Sequence, residues 1–148
     1  MATDEFKKHM KLRDEWNIII QIACDITNYT IANDNIAARG KRKEILEELV
    51  RLRSIYGEIP YIIEITAVYT RNTNKKLSLF ELAYSLSSST SEYDESLAIA
   101  TSAFEFCLED KLKNQSEIWR ARVNGLLSKA TDSELLHEAN ILLNEEYQ

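Results

Sequence analysis

Two histidines and two cysteines are the scarcest reactive side chains in this 148-residue chain, and their spacing bounds its chemistry. Glu134-Leu-Leu-His137 has the Glu-x-x-His spacing that sets two metal ligands on one helix face. A di-iron carboxylate bundle needs two such pairs and two further glutamates. The other histidine, His9, follows Glu5 by four residues and has no Glu three residues before it, so that set cannot be completed. Zinc calls for clustered Cys or His, and the sequence has no such cluster. No G-x-S-x-G turn is present, and Cys107 with His137 is the one conceivable thiol dyad. A phosphate cradle needs glycines beside a helix start, whereas the three glycines are isolated. Paired carboxylates occur at Glu47-Glu48, at Glu105 with Glu109-Asp110 and at Glu145-Glu146. All fall on polar helix faces, where solvation accounts for them. The sequence therefore predicts no enzyme, no metal and no cofactor.

Charge and aromatic side chains are the next candidates for a binding role. Arg39, Lys41, Arg42 and Lys43 form the densest basic stretch and are a candidate patch for an acidic partner or RNA. Glu44, Glu47 and Glu48 follow at once, so pairing along the helix, as Lys43 with Glu47, competes with that role. The net charge is −6 and the pI about 5.0. Duplex nucleic acid is then a poor partner, because its affinity depends on cations neutralising phosphates. A basic protein partner is better tolerated. Tyr56, Tyr61, Tyr69, Tyr84 and Tyr93 gather in the middle third. Tyrosine is amphipathic and enriched at interfaces, which makes these five the candidate contact face.

The elements that must position these residues read as helices. Three glycines and one proline are too few for a sandwich or a dinucleotide-binding fold. Thr3 is the expected N-cap of a first helix from Asp4, with Phe6, Met10, Trp16, Ile19, Ile20, Ala23 and Ile26 at helical spacing. Asn33-Asp34-Asn35 ends it. A second helix covers 36–56, with Ile45, Leu46, Leu49, Val50, Leu52 and Tyr56 inward and Gly57 as its stop. Pro60 suits the first turn of a third. Its run 61–71 is dense in β-branched residues and also fits a strand, but no second strand is available to pair with it.

Four capping signals follow: Ser78-Leu-Phe-Glu81, Ser91-Glu-Tyr-Asp94, Asn114-Gln-Ser-Glu117 and Thr131-Asp-Ser-Glu134. Each precedes an amphipathic run, and 85–91 reads as a serine-rich loop. Leu135, Leu136, Ala139, Leu142 and Leu143 stripe the last helix, which is expected to dock on the helix of Trp119 and Leu126. The tetratricopeptide pattern does not align.

The expectation is an all-α chain of about six to seven antiparallel helices. It is an irregular bundle or a stack of helical hairpins, in one domain over 1–148. Cys24 and Cys107 lie among apolar residues and read as reduced core thiols, which fits a cytoplasmic setting. No apolar run reaches the length of a membrane span, and the polar N-terminus lacks the signal-peptide pattern.

The function these features point to is non-enzymatic binding of another protein through a groove or face between helical hairpins. An acidic inhibitor of the immunity or antitoxin type, masking a basic nuclease-like partner, is the alternative. A small-ligand or enzymatic bundle is a third reading.

Overall fold

A helix advances 100° per residue, so where a helix packs along one face alone, only one of three consecutive isoleucines faces inward. In Ile18-Ile19-Ile20 that one is Ile19, which is 2% exposed, while Ile18 and Ile20 stand in solvent. The computed structural model describes the backbone of residues 4–145 and the side chains of residues 8 and 10–145. Thr3 falls outside these residues, as does the side chain of Phe6. The described residues form seven helices and no strand. These are α1 (Asp4–Ile31), α2 (Asn35–Tyr56), α3 (Pro60–Tyr69), α4 (Thr73–Ser89), α5 (Tyr93–Glu109), α6 (Lys113–Leu126) and α7 (Ser133–Glu145). None of them is long and apolar enough to cross a membrane. The ambiguous run after Pro60 is helical. The chain divides into two compact units between Thr70 and Arg71.

In the first unit α2 packs against both α1 and α3. Leu12, Ile19, Ile22 and Ile26 of α1 meet Ile45, Leu49, Leu52 and Tyr56 of α2 and Ile62 of α3. The three-and-four spacing of these residues makes one stripe per helix. Each buried Leu or Ile contributes roughly 1.5–3 kcal/mol. Gly57 ends α2 with φ +90°, a conformation that glycine adopts without strain. Met10 and Val50, expected inward, are exposed, and so is Cys24. They lie on the outer sides of stripes that Leu12 and Leu49 already complete.

In the second unit α5 is the central helix, packed against α4, α6 and α7. Leu97, Ile99, Ala100, Ala103, Phe104 and Cys107 are all buried. They cover more than one side of α5, as a surrounded helix requires. Phe80 of α4 meets Trp119 of α6 edge-on at 6.4 Å. The last helix docks on α5, where Ala139 and Leu143 are its buried contacts, and not chiefly on the helix of Trp119.

One connection serves three times. Residues 32–34, 90–92 and 110–112 each link two helices in three residues. In each the middle residue is left-handed: Asn33 at φ 59°, Ser91 at φ 57° and Lys111 at φ 57°. The N–H after it reaches back five residues, from Asp34 to Tyr29, Glu92 to Ser87 and Leu112 to Cys107. This is the Schellman closure, built here without glycine. Four residues after each turn a small buried residue follows, Ala38, Ser96 or Ser116. It lets the new helix lie close against the old one. At the α4–α5 turn the Ser87 and Ser96 hydroxyls share a buried hydrogen bond of 2.7 Å.

Several helix starts differ from the capping signals. α4 begins at Thr73 because the Asn72 side chain accepts from Lys75 N, five residues ahead of Ser78. It then runs through the expected serine loop to Ser89, with the Ser87 and Ser89 hydroxyls bonded to the carbonyls of Tyr84 and Leu86. Asn114 lies inside α6, whose cap residue is Leu112. For α7 the cap is Asp132, which accepts from Glu134 N and Leu135 N.

Candidate functional site

The first unit carries a groove of about 310 Å³ between α1 and α3, lined by Arg13, Trp16, Asn17 and Ile20 with Tyr61. Positions 13, 16, 17 and 20 are one flank of α1, beside the buried stripe of Leu12 and Ile19. Across it Tyr61 stands edge-on to Trp16, ring centroids 4.9 Å apart. Both rings are half-buried against the core, and Ile20 is 51% exposed. Arg13 is exposed at the rim. The arrangement offers an aromatic floor, an aliphatic wall and one cation. That suits an apolar side chain flanked by a carboxylate or a carbonyl.

The five tyrosines are divided between the units. Tyr56 is buried, and its hydroxyl donates to Glu15 Oε2 at 2.6 Å. That bond, with burial, pushes its pKa to about 12, and the same bond, seconded by Arg51, holds Glu15 below the usual carboxylate range. Tyr61 is the one that lines the α1–α3 groove. Tyr69 is half-buried on the same core, and burial raises its pKa. In the second unit Tyr84 meets Trp119 edge-on at 5.6 Å, and the Arg122 guanidinium lies 4.7 Å from its ring while bonding Glu81 at 2.7 Å. Tyr93 is exposed, with Lys129 5.4 Å from its ring.

The basic stretch runs along α2. Lys41 pairs with Glu44 at 3.1 Å and Asp25 at 3.7 Å, and the Glu44 bond holds its pKa above the ordinary value. Arg39 and Lys43 are exposed and Arg42 is half-buried. Lys43 and Glu47 border a shallow apolar surface formed by Leu46 and Val50. Glu134 and His137 are both exposed on α7, and no group of three metal-binding side chains occurs among the described residues.

Sequence reasoning took Trp16 and Ile20 for core and passed over Arg13 and Asn17. The available signal was the isoleucine triplet, which is wider than the stripe that a helix packed along one face buries. Beyond these features the chain stands alone in comparison: no family model, no curated protein and no solved structure matches it.

Proposed function

We propose that this chain is a non-enzymatic protein–protein interaction module that receives a partner in the α1–α3 groove. The observation that carries the reading is the edge-on Trp16–Tyr61 pair beside the exposed Ile20, with Arg13 at the rim. Aromatic and arginine side chains in a concave apolar setting are what binding hot spots are made of. The fitting partner segment presents one apolar anchor with an acidic neighbour. The proposed setting is the reducing cytoplasm, supported by two cysteines that sit unpaired in different helices. The test is affinity capture with the full chain and with Ile20→Asp. The variant should keep its circular dichroism spectrum and melting temperature, because Ile20 is exposed, and should lose the captured partner. Equal capture by both proteins would place binding elsewhere.

Charge distribution favours a second reading, the acidic inhibitor of a basic partner. Residues 71–148 contain 8 Lys and Arg against 13 Asp and Glu, a net of −5. Residues 1–70 contain 10 against 11, a net of −1. Such a complex would form fast and weaken steeply with salt. Capture through the α1–α3 groove would change little between low and moderate ionic strength.

A further inference from the structure

We propose that the outer face of α2 pairs with the same face of a second copy of this chain, antiparallel about a two-fold axis at Ile45. Ile36, Gly40, Lys43, Glu47, Val50 and Ser54 form one row along α2, and all six are exposed. They alternate at four and three residues, the spacing of a helix–helix seam. Ile45, the midpoint of the row, is fully buried on the opposite side of the helix. The row shares no residue with the α1–α3 groove.

A surface that meets its own copy across a two-fold axis must be self-complementary, with residue i on residue j and j on i. Turning α2 end over end about Ile45 sets Lys43 of one copy on Glu47 of the other, twice. The same operation sets Val50 on Gly40 and Ile36 on Ser54, twice each. The first match joins opposite charges. The other two set a large apolar side chain against a small residue.

The two central matches answer what the single chain leaves open. No ion pair among the described residues involves Lys43 or Glu47, although they stand four apart on one helix. Lysine ahead of glutamate is the weaker order for a pair within a helix, which leaves both charges for another chain. Gly40 lies inside α2 without a positive φ, and nothing stands within 4 Å of the place its Cβ would take. Glycine there costs helix stability relative to alanine, and nothing in its own chain requires it. It leaves a hole of the kind that Val50, 64% exposed, can fill.

Leu46 and Val50 form the shallow apolar surface bordered by Lys43 and Glu47, and the two-fold axis brings two such surfaces together. The charges flanking the row are engaged within their own chain. Glu44 pairs with Lys41 at 3.1 Å, Arg51 with Glu48 at 2.9 Å and Arg53 with Glu58 at 2.6 Å. Arg39 falls beside the other copy's Arg53–Glu58 pair, which carries no net charge. A two-helix contact of this length buries less than about 1,200 Å², the range of weak, reversible association.

The test is sedimentation equilibrium of the full chain in dithiothreitol, which keeps the exposed Cys24 from cross-linking. The mass should rise from 17.1 kDa toward twice that value between about 10 µM and 1 mM chain. Lys43→Glu and Glu47→Lys should each weaken dimerisation at least about tenfold, since each turns two attractions into two repulsions. An equimolar mixture of these two variants should dimerise again, as should the chain carrying both changes, because opposite charges then face each other once more. Gly40→Leu should raise the melting temperature through helix propensity and still weaken the dimer, because it fills the hole. A mass that stays at 17.1 kDa up to about 1 mM would overturn the proposal. So would a dimer indifferent to either charge reversal or to Gly40→Leu, or one that the mixture fails to restore.

Discussion

The Tyr56 hydroxyl and the Glu15 carboxylate are 41 positions apart in the chain and 2.6 Å apart in the fold. This explains why tyrosine content alone misassigned part of the candidate contact face. Nothing local to Tyr56 marks its hydroxyl as already committed. The pair has a measurable pH signature. Tyr56 holds its proton more tightly folded than unfolded, so its stabilisation is complete below pH 10 and is lost as pH rises toward about 12. Glu15 is shifted the other way. Its stabilisation is present above the ordinary carboxylate value of 4.5 and is lost as pH falls through its depressed folded value. Tyr56→Phe should therefore flatten the alkaline loss of stability, measured by urea unfolding at pH 8 and pH 11. An equally steep loss in the variant would assign the effect elsewhere. The cysteines make a second residue-level prediction. Cys24 is exposed, whereas burial pushes the Cys107 thiol up to about 11. Ellman's reagent at neutral pH should modify one thiol in the native protein and the second only after denaturation. Prompt modification of both would show that the α5 face opens readily.

At the level of elements, helix existence was legible throughout, and helix boundaries in the first unit more than in the second. Pro60, Gly57 and most of the apolar spacings are properties of single residues and short windows, and they held, with Met10, Ile20 and Val50 as exceptions. The Ser78 capping box failed because Asn72 caps first, and a helix once nucleated propagates through a compatible sequence. The serine run was misread for a related reason. Serine hydroxyls satisfied by carbonyls one turn back are compatible with helix, and beyond Leu86 no apolar residue advertised the continuation. The α1–α3 groove could not be read from the sequence, since it depends on which flank of one helix faces another. The repeated turn offers a test. A lysine at φ 57° is strained where glycine is not. Lys111→Gly should raise stability by about 0.5–1 kcal/mol after the added freedom of the unfolded chain is set against the relief. An unchanged or lower denaturation midpoint would mean that Lys111 makes compensating contacts. The docking of α7 on α5 gives a larger effect. Leu143 is 9% exposed, and Leu143→Ala should cost roughly 2–5 kcal/mol. Leu142→Ala, on the partly open side, should cost less. Equal losses at the two positions would contradict the assigned face.

For the whole molecule, composition already indicated an all-α chain, and low Gly and Pro content with seven helices agree with it. The location of the acidity was also readable, since it follows from counting. Far-UV circular dichroism should be dominated by helix, and the melting temperature should be indifferent to dithiothreitol because both cysteines are free. A drop with reductant would reveal a disulfide. The three short turns also bear on how quickly the chain folds. Each lets a helix find its neighbour after closing a loop of three residues, so the α1–α2, α4–α5 and α5–α6 pairings form without a long search. Helical proteins dominated by such near-neighbour pairings fold in microseconds to milliseconds. The exception is α7, whose partner α5 lies on the far side of α6 in sequence. In stopped-flow refolding, variants at Leu143 should mainly accelerate unfolding. Substitutions that bulk up Ser96 or Ser116, four residues after the repeated turn, should slow folding itself.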